Sequence, residues 1–190
     1  MFLKFAYQDF LEDRKFKNTI ERNIQNYKQM LGEFITYCTD TELINVEDIS
    51  YTHVKEFLFM CQERGNKAST INSKLQRIRA FFNYMIECEV IIKSPASKVK
   101  LQRDDTKIEV FTDAHIKQML NFYRRIKGRE KAFFVYRDYM IIVLILGTGI
   151  RRGELINLKW SDIDFINDSM TVFGKSRRKE DVPLTEKLKK

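Results

Sequence analysis

Residues 146–160 read LGTGIRRGELINLKW and close an apolar run rich in β-branched side chains, MIIVLIL over Met140 to Leu146. A buried strand feeding a glycine-rich turn is how a nucleotide-binding α/β unit begins, so the spacing of the glycines decides the fold. A dinucleotide fingerprint requires G-x-G-x-x-G. After Gly147 and Gly149 the third position is Arg152, and the next glycine comes one residue late, at Gly153. A phosphate-cradling P-loop needs Gly-Lys-Ser/Thr, which does not follow. Strands and helices also fail to alternate along the chain, so a nucleotide-binding α/β enzyme is disfavoured. What the segment offers is a turn that carries two adjacent arginines, Arg151 and Arg152, into a helix.

Composition narrows the class. The chain has 190 residues, 44% of them hydrophobic, enough to bury one large core or two small ones, which argues against overall disorder. Its 34 Lys and Arg exceed 26 Asp and Glu, and the net charge of +8 favours a polyanionic partner. That charge is uneven: residues 1–100 carry a net +2, residues 101–190 a net +6, and Arg64 to Lys107 alone hold 10 basic and 4 acidic residues. The cysteines Cys38, Cys61 and Cys88 are odd in number and lie on apolar helical patterns, as expected of reduced core residues in a cytoplasmic protein. No C-x-x-C or H-x-x-H pair is available to zinc, and no metal or cofactor is expected. The N-terminus, MFLKFAYQDFLEDRK, lacks a basic region ahead of a long apolar run, and Met140–Leu146 is too short to cross a bilayer. Neither a signal peptide nor a membrane partner is expected.

Apolar spacing divides the chain. Leu3, Tyr7, Phe10 and Leu11 mark one helix, and Ile20, Ile24, Tyr27, Leu31, Phe34 and Cys38 step by three and four along a second. Val54, Phe57, Leu58 and Cys61 mark a third, and Ile71, Leu75, Ile78, Phe82 and Met85 a fourth that ends before Ser94-Pro95. Residues 1–98 are therefore expected to form a four-helix bundle, and the charged stretch within 99–110 an interdomain linker. From 111 onward Thr112 is a plausible N-cap for a helix through Ile116, Met119, Leu120 and Tyr123. The run Met140–Leu146 is a buried element whose type periodicity does not settle. Met170–Phe173 and Asp181–Leu184, split by Asn167-Asp168 and by GKSRRKE, predict a small antiparallel sheet. The expected fold is mainly α, with a helical N-terminal bundle joined to a mixed α+β second domain.

The chemistry concentrates in TGIRRGEL and FGKSRRKEDVPL, where basic residues adjoin glycines. Glycine permits close backbone approach, and an arginine beside it offers a planar, permanent charge to phosphate oxygens. On chemistry alone, a surface salt bridge for Arg151 and a solvated turn for Lys175 account for the same residues more simply. The combination, however, resembles the tyrosine recombinases, the phage integrase family. Their first catalytic arginine lies in T-G-x-R-x-x-E-L followed by L-x-W-x-D-[IV]-D, and Thr148-Gly149-Ile150-Arg151-Arg152-Gly153-Glu154-Leu155 followed by Leu158 to Asp164 matches every fixed position. Gly174-Lys175 ahead of Val182-Pro183-Leu184 is similar to the family's lysine hairpin, and Thr19-Ile20, Thr70-Ile71, Ile78-Arg79-Ala80-Phe81-Phe82 and Ser94-Pro95 resemble its helical core-binding, SAM-like domain.

The resemblance implies a core-binding domain at 1–98 and the N-terminal part of a catalytic domain at 111–190. Its activity would be cleavage of a DNA strand by tyrosine attack on the scissile phosphate, with no metal or cofactor. Arg151 would stabilise charge on the nonbridging oxygens and Lys175 would protonate the leaving 5′-oxygen, with Glu154 orienting the arginine-bearing helix. Trp160 and the residues around it would pack and cap. The family also uses an H-x-x-R box and a C-terminal tyrosine. The only histidines, His53 and His115, make no such box, and none of the eight tyrosines fits the nucleophile position, so the chain is expected to bind DNA without cutting it, as the N-terminal part of a recombinase. Other protomers would be its partners in the full-length protein. For duplex DNA, the polar side of the fourth helix offers Thr70, Lys74 and Arg77 at i, i+4, i+7, with Lys67, Asn72 and Arg79 nearby, and Lys98, Lys100, Arg103, Lys107 and Arg152 could meet phosphates. The rival reading is a noncatalytic DNA-binding regulator derived from a recombinase, against which the retention of both Arg151 and Lys175 weighs.

Overall fold

The apolar stripes fold as their periodicity dictates. In the computed structural model, which describes residues 1–104, 109–129, 133–174, 179–185 and 188, helices α1 (Leu3–Phe16), α2 (Glu21–Asp40), α3 (Tyr51–Glu63) and α4 (Ala68–Glu87) pack around one core. Ile71, Leu75, Ile78, Phe82 and Met85 of α4 are all buried, and Phe34 of α2 meets Phe57 of α3 and Phe82 of α4 at ring-centroid distances of 5.2 and 6.2 Å. Edge-to-face aromatic packing of this kind adds to the gain from removing the rings from water. Ser50 caps α3 by accepting from the His53 backbone N–H at 3.4 Å, while His53 Nδ1 accepts from the Ser50 N–H at 3.2 Å. That reciprocal box gives His53 a structural task. Cys38 and Cys61 are buried, and burial pushes the Cys38 thiol up to about 12; Cys88, expected in the core, is exposed one residue past the end of α4.

The chain separates into two compact units, Met1–Lys107 and Ile108–Lys190. After α4 the backbone does not leave the bundle at once. Ala96 and Val99 are buried in the helical core, and Arg79 donates to the carbonyls of Ala96 and Val99. Three residues past Val99, the Asn72 side chain donates to the Gln102 carbonyl and accepts from its N–H, both at 2.8 Å, in the pattern one strand offers another. The start of the segment read as a linker is thus clasped to α4.

Lys74 also departs from the expected DNA-facing stripe. Its side chain is 6% exposed and its ammonium donates to Glu33 of α2 at 2.5 Å and to Cys61 Sγ at 3.4 Å. The reason is angular: Lys74 lies three residues after Ile71 and four before Ile78, so at 100° per residue it borders the apolar stripe instead of opposing it. Burial alone would lower its pKa, but the hydrogen bonds to Glu33 and Cys61 and the charges of both groups together outweigh this and raise it.

In the second unit α5 (Asp113–Arg129) pairs with α6 (Phe133–Thr148), and Thr112 Oγ1 accepts from the His115 N–H at 3.3 Å, capping α5 as expected. The run Met140–Leu146 lies wholly within α6: a continuous helix of 16 residues overrides the strand preference of its β-branched side chains. Short helix α7 (Arg152–Asn157) follows, then a three-stranded antiparallel sheet in the order β1 (Ile163–Asp164), β2 (Ser169–Phe173), β3 (Lys179–Pro183). Ile150, Met170 and Val172 form its buried nucleus, with Leu144, Leu155, Leu158 and Val182 packed around them.

Two outcomes follow from these contacts. Lys74→Ala should destabilise the first unit by about 1–3 kcal/mol in urea denaturation, because it removes one partner of a mostly buried pair whose carboxylate still reaches solvent. Asn72→Ala should raise hydrogen exchange at the Gln102 N–H by roughly tenfold, with the helical circular dichroism signal unchanged, since it removes that amide's partner without touching the core.

Candidate functional site

Three local devices present Arg151. Gly149 ends α6 in the left-handed conformation, φ +68°, with its N–H donating to the Ile145 carbonyl at 2.9 Å. A side chain there would be strained, which explains the glycine without any ligand. Ile150, 6% exposed, then anchors the turn in the Met170–Val172 nucleus. Arg151 follows as the N-cap residue of α7, and its side chain is 70% exposed.

Glu154 holds that arginine from below. One carboxylate oxygen accepts from the Arg151 backbone N–H at 2.8 Å and the other from a guanidinium nitrogen at 2.8 Å. The carboxyl is nearly buried, at 8% exposure, while most of the guanidinium faces solvent. The Arg151 backbone and then side-chain hydrogen bonds hold the Glu154 carboxyl below its ordinary range, and the same pairing pushes the Arg151 guanidinium further up. A guanidinium has five N–H donors, so the bond to Glu154 fixes its plane and leaves donors for an outside anion. Arg152 is exposed beside it on the first turn of α7. Lys175 lies outside the described residues, as does Lys107.

Downstream, Asp162 accepts from the Lys159 N–H at 2.8 Å, and Asp164 accepts from the backbones of Ile166 and Asn167 at 2.9 Å each. Both aspartates close turns, in keeping with a capping role. The Trp160 ring does not pack as expected: it is 83% exposed among the described residues.

On the first unit, the residues expected to meet DNA are scattered over different tasks. Lys67, Lys100 and Arg103 are exposed and Thr70 is half-buried. Arg77 lays its guanidinium over the Tyr27 ring at 5.1 Å, and Lys74, Asn72 and Arg79 direct their polar atoms into the protein. A groove of about 320 Å³ runs between α3, the start of α4 and the clasped segment, with Tyr51, Lys55, Phe59, Lys98 and Lys100 among its lining. Tyr51, Lys55 and Phe59 escaped the sequence reading. Their signal was present, since they lie at i, i+4, i+8 on the polar side of α3.

Residues 1–101 match the model of the phage integrase SAM-like domain and residues 109–190 that of the phage integrase family. The chain belongs to the phage integrase family of tyrosine recombinases. Within the family it is 26% identical over 190 residues to the tyrosine recombinase XerD of Oceanobacillus iheyensis, covering 98% of this chain and 62% of that protein. To a XerC-like tyrosine recombinase of Caldanaerobacter subterraneus subsp. tengcongensis it is 29% identical over 151 residues, covering 74% of this chain and 36% of that one. The fold is shared with the lambda integrase in a dimer bound to a core site, at a TM-score of 0.75 and 18% identity over 96% of this chain and 62% of that one. It is shared too with the Tn1549 transposon integrase in complex with transposon right end DNA, at a TM-score of 0.74 and 23% identity over 99% and 62%. The chain thus spans from about a third to about three-fifths of the length of these relatives.

The Arg151–Glu154 pair carries a pH signature. A depressed folded pKa means that this carboxylate stabilises the fold fully above the ordinary carboxylate value, about 4.3, and that the contribution fades as pH falls through the folded value. A carbon-detected NMR titration should place the Glu154 midpoint below that of an unpaired glutamate, and a midpoint at or above it would contradict the pairing.

Proposed function

We propose that this chain is the DNA-holding and arginine-presenting part of a site-specific tyrosine recombinase. The observation that carries the reading is Arg151, exposed at the mouth of the α6–α7 turn and held in plane by a nearly buried Glu154. A purely structural ion pair would not need its charge aimed at solvent from so rigid a seat. When a scissile phosphate is attacked, negative charge grows on its nonbridging oxygens, and a preorganised guanidinium stabilises that charge without reorganising. Lys175, beside Gly174 in the β2–β3 connection, supplies the proton for the departing 5′-oxygen. Glu154 acts through the arginine. The tyrosine nucleophile and the H-x-x-R box are not among these 190 residues, so strand cleavage belongs to a polypeptide that carries them.

Duplex DNA is the partner, met on the first unit by exposed Lys67, Lys98, Lys100 and Arg103 and on the second by Arg151 and Arg152. Lys55 and Phe59 of the α3 groove extend this surface with a charge and a ring. The contacts are to phosphates for the most part, so affinity depends on displaced counterions. Work on DNA in a reducing cytoplasm is consistent with the unpaired cysteines, and assembly with further protomers accompanies strand exchange.

Fluorescence anisotropy of a labelled duplex, measured from about 50 to 200 mM salt, tests the reading. The log of the affinity should fall linearly with the log of salt, and Arg151→Ala should reduce that slope by roughly one. In a polypeptide with the tyrosine, the same substitution should slow cleavage by on the order of 10²–10³-fold. Duplex affinity that ignores salt, or an unchanged slope in the variant, would sink the proposal.

A further inference from the structure

Gln102 is the point at which the chain leaving the bundle is tied to two helices at once. Asn72 of α4 bonds both its N–H and its carbonyl at 2.8 Å, and the Gln102 side chain donates to Gln62 of α3 at 2.9 Å. Upstream, Arg79 of α4 donates to the carbonyls of Ala96 and Val99, whose side chains are buried. Between these two attachments lie Lys98 and Lys100, exposed on either side of Val99. They share the lining of the α3 groove with Lys55, and none of the three lysines is ion-paired among the described residues. Like charges kept along one groove repel, and a loose segment would carry them apart. The bonds from Asn72 and Arg79 prevent that through the backbone, without engaging any of the lysines.

We propose that Asn72 is a positioning residue for DNA binding: by holding the Gln102 backbone it fixes the wall of the groove that carries Lys98 and Lys100, so that the phosphates of a duplex meet cations already in place. The inference rests on the reading of these lysines as phosphate contacts. A lysine is a mobile point charge on a long stem, and ordering a loop together with its lysines at the moment of binding subtracts from affinity. In this chain the backbone part of that ordering is completed on folding. Asn72 carries no charge, so its contribution separates from theirs. The lysines set how many counterions a duplex releases, and Asn72 sets how much of the contact energy survives as affinity. With its carbonyl and an amide N–H engaged by Gln102, Asn72 acts through the segment and not as a reader of DNA.

The test uses the whole chain and a fluorescently labelled duplex of mixed sequence, with anisotropy read across a salt series and hydrogen exchange of the Gln102 N–H read alongside. Asn72→Ala should weaken duplex binding on the order of three- to tenfold. The slope of log affinity against log salt should stay that of the parent, because no cation has been removed. Lys100→Ala should instead lower that slope by roughly one. In a chain already carrying Lys98→Ala and Lys100→Ala, adding Asn72→Ala should cost less than about twofold, since nothing is left for it to position. Unaltered affinity in Asn72→Ala overturns the proposal, and so does an unaltered exchange rate at Gln102, which would mean that Asn72 does not hold the segment. A loss that persists in full without the two lysines makes Asn72 a direct DNA contact and overturns it as well. If the parent binds duplex with no dependence on salt, or the chain without the two lysines binds as the parent does, the reading of them as phosphate contacts fails and takes the proposal with it. If the lysine substitutions lower the slope and Asn72→Ala leaves affinity alone, that reading stands and the proposal alone falls.

Discussion

The second unit turns on the two-point bond between Glu154 and Arg151. A lone arginine at the start of a six-residue helix would sample many rotamers and lose entropy on binding any anion. Here the glutamate satisfies the backbone N–H of Arg151 and a guanidinium nitrogen with separate oxygens, so the helix start and the side-chain plane are set by one group. The bond demands that the chain arrive from α6 at a fixed angle. Gly149 supplies the turn and Ile150 the anchor, and the sheet under Ile150 exists to receive it. Removing any one of these loosens the others.

The first unit solves a different problem, that of controlling where its chain departs. Helix α4 gives its apolar stripe to the core and two of its flanking polar residues to the segment that follows. Arg79 and Asn72 bond the backbone of residues 96 to 102, groups that would otherwise need water. This makes the exit from the bundle a defined strand-like path and places Lys98 and Lys100 along the rim of the α3 groove. The proposed hold on a long polyanion rests on this basic, ring-bearing surface and guided exit.

The helical bundle was legible because its apolar residues repeat at 3.6 with little interruption, and the hairpin because turn residues bracket its β-rich runs. The arginine box was legible as a spacing of Thr, Gly, Arg, Glu and Leu. Reading α4 as a DNA-facing stripe was less successful. Periodicity identifies the centre of a buried face and says little about its flanks, where Lys74 meets Glu33 from another helix. Asn72 and Arg79 likewise look like surface donors until the returning backbone is in place. For α6, β-branched content competed with length, and length prevailed.

By itself, the order of residues determined the helical bundle, the small sheet, the family and the arginine that faces outward, since each follows from local period, turn chemistry or a contiguous motif. Only the tertiary structure decided which polar side chains are inside. Lys74, Asn72 and Arg79 take their roles from partners distant along the chain, and a linear pattern carries no record of which group will meet which once the elements have packed.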